Sequence, residues 1–191
     1  MSEKEPIRLE TPLSREDVEA LETGHVVRLS GTLYVARDAA HARMAEAIEN
    51  GDDLPFDPEG QVVYFTGPAP ARPGHPLGPA GPTTSSRMDP YSQLLIERGL
   101  RGMIGKGTRS EEVREAMREH GCVYFGAVEG TAALLARRVK EAEVIAYEDL
   151  DAEAVRRLVV EDFPVVVIND LYGGDLYLEG RERWRRASNK G

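Results

Sequence analysis

Apolar residues recur along this chain in short bursts, and the spacing inside each burst predicts a string of small helices and strands. Ser14 precedes Asp17, Val18 and Leu21, the order of a capped helix that Gly24 ends. In the run His25 to Asp38, two apolar stretches flank Ser30-Gly31, which predicts a β-hairpin whose second strand brings Arg37 to a strand end. Asp38 then stands as a cap for a helix to about Glu49, with Met44, Ala45 and Ile48 on one face and Asn50-Gly51 as its stop. Val62 to Thr66, bounded by Gly60 and Gly67-Pro68, reads as a buried strand. Residues 67 to 82 hold six prolines among their glycines, which excludes regular structure and favours a functional loop.

Tyr91, Leu94 and Leu95 predict a helix from Met88 to Arg98, closed by Gly99. An alternation follows: strand Gly102 to Ile104, helix Ser110 to His120, strand Cys122 to Phe125, helix Thr131 to Lys140 and strand Val144 to Tyr147. Asp151 to Val159 reads as another helix, and the runs 164–170 and 175–180 around Gly173-Gly174 read as a final hairpin. Residues 181–191 read as a solvated tail. The sum is one α/β domain over 1–191, with a mixed sheet and covering helices.

Composition narrows the function. At 191 residues, with 41% hydrophobic and 30% charged residues, the chain has the balance of a globular domain with its own core. A formal charge of −9 argues against nucleic acid, because phosphate neutralisation needs a basic surface and the one basic cluster, Arg181 to Arg186, is short. No apolar run approaches the roughly 20 residues that span a bilayer, and the charged start is unlike a signal peptide, so a cytoplasmic protein without a membrane partner is expected. The single cysteine, Cys122, excludes an internal disulfide, and a self-contained iron-sulfur cluster would need about three or four thiolates. Cys122 itself opens an apolar run and reads as a small buried hydrophobe.

The chemistry concentrates between Gly78 and Asp89. Four hydroxyls, Thr83 to Ser86, lie between Gly-Pro breaks and Arg87, just ahead of a predicted helix, and Lys106 follows between two glycines. Hydroxyls and backbone N–H groups at a helix entry make a seat for an anion. Gly126, Gly130 and Thr131 stand ahead of another predicted helix and form a second candidate seat. Asp89 reads as a cap or as a partner that orients Arg87. No metal site is assigned, since no second carboxylate or histidine stands at ligand spacing from Asp89.

Four strings in order, Arg37 to His41, Gly67 to Pro70, Gly81 to Asp89 and Ile104 to Gly107, resemble the motifs of the β subunit, or C-terminal domain, of class I iron-sulfur fumarases and L(+)-tartrate dehydratases. The resemblance runs from about residue 7 to about residue 180. It implies a layered β/β/α domain of the swivelling type, and a hydro-lyase acting on a small hydroxy dicarboxylate. It also implies a separate α subunit that carries a [4Fe-4S] cluster and supplies a general acid, with αβ pairs that dimerise.

Such a reaction must hold two carboxylates, remove a proton from the carbon beside one of them and expel a hydroxyl. Arginine pairs with a carboxylate bidentately and stays charged, so Arg37 and Arg87 are the candidate clamp, with Lys106 as a third cation. The resemblance points to Thr83 as the base. Thr84, Ser85 and Ser86 lie beside it, and Thr84 and Ser85 stay open as substrate contacts, as does His41. L-malate to fumarate ranks ahead of tartrate to oxaloacetate. The alternative is a stand-alone anion-binding or regulatory module of the same fold.

Overall fold

The described residues form seven strands, and two of them are long enough to pair with three others each. The computed structural model describes residues 5–127 and 132–188. The strands are β1 (Ile7–Thr11), β2 (Val26–Val35), β3 (Val62–Tyr64), β4 (Gly102–Gly105), β5 (Val123–Gly126), β6 (Val139–Ala146) and β7 (Val155–Asn169). The helices are α1 (Arg15–Glu19), α2 (Asp38–Asn50), α3 (Asp89–Glu97), α4 (Glu111–His120), α5 (Ala132–Ala136) and α6 (Leu176–Ser188). No helix among the described residues is long and apolar enough to cross a membrane.

β2, β3, β4 and β5 run parallel in that order, β7 pairs antiparallel with β5, and β7 also pairs antiparallel with β2. The five strands therefore close into a barrel, not the β/β/α layering that the resemblance implied. The reason is length. One edge of β7 follows β2 from Val26↔Val166 to Val35↔Arg156, while its other edge serves β6 and then β5 in succession. β1 and β6 extend the closed wall.

Period-two alternation sorts the core into two sides. Inside the barrel sit Val27, Leu29, Leu33, Val35, Val62, Tyr64, Ile104, Phe125 and, from β7, Leu158, Val160, Phe163, Val165 and Val167. Outside it, Val63, Phe65, Met103 and Tyr124 face a second cluster with Met44 of α2, Leu95 of α3 and Val113 of α4.

Several expected elements are corrected. Ser30-Gly31 is no hairpin turn: β2 runs through it, and a register shift between Leu29 and Gly31 takes up the irregularity. The expected helix Asp151 to Val159 keeps only a 3-10 turn that ends at Glu153; from Val155 it is strand, continuous with the first strand of the final hairpin as β7. Asp162, with φ of +51°, forms a bulge there that shifts the inward positions from Leu158 and Val160 to Phe163, Val165 and Val167. That slip of one residue broke the alternation that marks a strand. The partner of the expected hairpin and most of the expected tail are helix α6. The helix expected over Thr131 to Lys140 is short, because Val139 already belongs to β6; Thr131 lies outside the described residues.

Candidate active site

Four parallel strands end on one edge of the barrel, at Val35, Tyr64, Gly105 and Gly126, and the candidate residues follow those ends. Carboxyl ends of parallel strands are the usual place for a ligand. Past β3 the chain leaves through the proline-rich loop and returns along itself. Ala69 N–H donates to the Pro79 carbonyl at 3.0 Å, and Thr66 Oγ1 donates to that of Gly81 at 2.7 Å.

The returning segment then lies across the strand ends. Thr83 N–H donates to the Phe65 carbonyl at 2.7 Å, Lys106 N–H to that of Thr83 at 3.3 Å and Ser85 N–H to that of Lys106 at 2.9 Å. Thr83 and Lys106 are thus backbone neighbours although twenty-three positions apart in sequence. Both are half-buried, and Thr84 is exposed. Ser85 through Met88 form a 3-10 turn that leads into α3. Thr84 and Lys106 line an open groove of about 570 Å3 that continues past Gly126 to Ile168 and Tyr177.

Arg37 occupies the cap position of α2, two residues beyond β2. Its side chain is 20% exposed and lies against Gly67, where a Cβ would stand 3.0 Å from its Nη1. Arg37 Nη2 reaches Asp38 Oδ1 at 3.4 Å and Glu153 Oε1 at 3.3 Å. The other oxygen of Glu153 accepts the Ala39 N–H at 3.0 Å, so this glutamate caps α2 while pairing with Arg37. Arg87 Nη2 donates to Asp38 Oδ2 at 2.7 Å. Both arginines therefore meet at one carboxylate.

Ser85 and His41 are buried behind this edge. Ser85 Oγ lies 2.8 Å from the Tyr124 hydroxyl, which itself donates to the Gly107 carbonyl at 2.9 Å. Gly105 makes room for it, since a Cβ there would stand 1.9 Å from Ser85 Oγ. His41 Nδ1 lies 2.9 Å from the Arg37 carbonyl, which can only accept, so Nδ1 carries the proton. Burial pushes the His41 pKa down to about 4, aided by the charge of Arg109, and the ring is neutral at pH 7.

Three participants are absent from the sequence reading of the site. Asp38 links the arginines, whereas it was expected only to cap α2; in fact Arg37 holds the cap position. Glu153 ends a 3-10 turn just ahead of β7, in a stretch expected to run on as helix. Arg109 is the third: its side chain is 0% exposed, Nε donates to Asp89 Oδ1 at 2.7 Å and Nη2 to Ser92 Oγ at 2.6 Å. Its guanidinium also lies 5.2 Å from the Phe65 ring centre and 5.3 Å from that of Tyr124. Asp89 thus orients Arg109 instead of Arg87, and its second oxygen accepts the Ser110 N–H at 2.9 Å. An arginine between two predicted elements carries no sequence signal of burial. Of the second candidate seat, Gly126 ends β5, and Gly130 and Thr131 lie outside the described residues.

The family model described as Fumarase C-terminus matches residues 1–180. The anaerobic class I fumarate hydratase of Escherichia coli is 42% identical over 151 residues, which are 78% of this chain and 28% of that protein. Fumarate hydratase 1, mitochondrial, of Leishmania major is 41% identical over 187 residues, 91% of this chain and 34% of its own. The chain thus spans about a third or less of the fumarate hydratases it matches. A Methanocaldococcus jannaschii protein named L(+)-tartrate dehydratase subunit beta is 34% identical over 87% of this chain and 89% of its own length. Motifs, family model and a relative of nearly equal extent agree: this chain belongs to the fumarase C-terminal family.

Proposed function

We propose that this chain is the β subunit of a two-subunit iron-sulfur hydro-lyase that reversibly removes water from a small hydroxy dicarboxylate, L-malate in first place and tartrate in second. The meeting of Arg37 and Arg87 at Asp38, on the edge that also holds Thr83 and Lys106, carries this reading. It gathers cations and a hydroxyl at the carboxyl ends of parallel strands, as a doubly charged substrate requires.

In this scheme Arg37 and Arg87 bind substrate carboxylates and Lys106 adds a third positive charge. Thr83 Oγ1 takes the proton from the carbon next to a carboxylate, and the cations around it lower the cost of a deprotonated hydroxyl. His41 and Ser85, both buried, hold the backbone that carries Arg37 and Lys106. The hydroxyl leaves with a proton supplied from the partner.

A [4Fe-4S] cluster, which needs about three or four thiolates, does not fit the residues of this chain. Cys122 is its one cysteine, it is buried, and burial pushes its thiol up to about 12. Among the described residues no three His, Cys, Asp or Glu gather to hold a metal. We therefore assign the cluster to an α subunit, and no role given above to this chain runs through it. The α subunit joins this chain in αβ pairs that dimerise, in the cytoplasm.

The test is co-expression with a cysteine-bearing α partner under anaerobic conditions. A brown complex that hydrates fumarate, or dehydrates tartrate, while this chain alone does neither, is the expected result. A complex with an intact cluster that acts on none of these acids overturns the reading.

A further inference from the structure

We infer that Asp38 is a positioning residue for substrate binding: its carboxylate sets the guanidinium groups of Arg37 and Arg87 at one spacing before a dicarboxylate arrives. This rests on the hydro-lyase reading above and names a residue that acts through the clamp, not on the reacting atoms.

Three observations support it. Asp38 opens α2, so its short side chain starts from a backbone that the helix holds in place. Its two oxygens are divided between the arginines, Oδ2 to Arg87 and Oδ1 to Arg37. The two arginines also depend on it unequally. Arg37 has Glu153 as a second partner and packs against Gly67, whereas Asp38 is the one carboxylate among the described residues that pairs with Arg87. Arg87 is 51% exposed and projects from a 3-10 turn. A long exposed arginine loses rotamer freedom when it grips a ligand, and a fixed carboxylate behind it takes that loss in advance. Arg87 has further N–H donors in its fork to offer a ligand.

The test uses the complex of this chain with its α partner and L-malate as substrate. Asp38→Asn keeps the shape and removes the charge. It is expected to raise KM about tenfold, to lower kcat by less and to leave the melting temperature of the complex unchanged. Asp38→Glu should recover part of the loss. The decisive measurement is the double variant Asp38→Asn/Arg87→Ala, which should be only slightly worse than Arg87→Ala alone and far short of the product of the two single losses, because Asp38 acts chiefly through Arg87 while Arg37 keeps Glu153. Unchanged or tighter substrate binding in Asp38→Asn, or losses that multiply in the double variant, overturn the inference. Failure of the underlying reading looks different, for then Arg87→Ala itself leaves turnover intact.

Discussion

Two arginine–aspartate groupings stand at the same helix entry and serve opposite ends. Arg109 and Asp89 are bonded at 2.7 Å with the arginine wholly buried; Arg87 and Asp38 are bonded at the same 2.7 Å with the arginine half exposed. The first pair is enclosed by Ser92, Met103, Phe65 and Tyr124 and ties α3 to the barrel wall. The second lies open on the strand edge, where solvent or a ligand competes for it. Equal length hides unequal consequence. A buried charge that loses its partner keeps its desolvation cost, whereas an exposed one is rehydrated.

The sharpest break of this symmetry is Arg109→Met, which leaves Asp89 enclosed without its cation and should cost about 3–5 kcal/mol of folding stability in urea. Next comes the buried side of α2. His41 is held neutral with its pKa near 4, against 6.5 for an ordinary histidine, so the unfolded chain binds the proton more tightly. Its contribution is complete above pH 6.5, falls as the pH drops from there towards 4, and is constant below, a loss of about 3 kcal/mol in all. Comparing urea midpoints at about pH 7.5 and pH 4.5 for the parent and His41→Gln checks it, the variant showing the smaller decline.

Arg87→Ala should do the reverse of Arg109→Met. It should lower kcat/KM of the assembled enzyme about 100-fold while changing stability by no more than about 0.5 kcal/mol. The smallest effect belongs to Tyr124→Phe. It removes the hydroxyl between Ser85 and Gly107, and a loss of about 1 kcal/mol in unfolding is expected, with activity reduced only as far as the Thr83–Lys106 pairing loosens.

Legibility differed along the chain for physical reasons. α2, α4 and β3 to β5 could be read because one local rule governs each: Gly51 and Gly121 stop helices in the left-handed conformation, Ser110 caps α4, and short buried strands read as apolar runs. The first half of β7 could not, although the run from Pro164 was read as a strand, since the bulge at Asp162 makes sense only against Ser30 of β2, whose Oγ accepts the Asp162 N–H at 3.1 Å. At the site, Arg37, Thr83, Arg87 and Lys106 stood out by residue type and motif. The roles of Asp38, Glu153 and Arg109 depend on partners up to 116 positions away, from Arg37 to Glu153 in the sequence numbering.

By itself, then, the sequence determined the family, the acidic single-cysteine character of the chain and the list of groups able to handle a dicarboxylate, because residue type and local spacing carry that information. Only the tertiary structure decided that five strands close into a barrel, that Asp89 serves Arg109, and that Asp38 joins Arg37 to Arg87. Closure and charge pairing depend on which distant segments share an edge, and that outcome is settled by strand length, bulges and burial acting together on the whole chain.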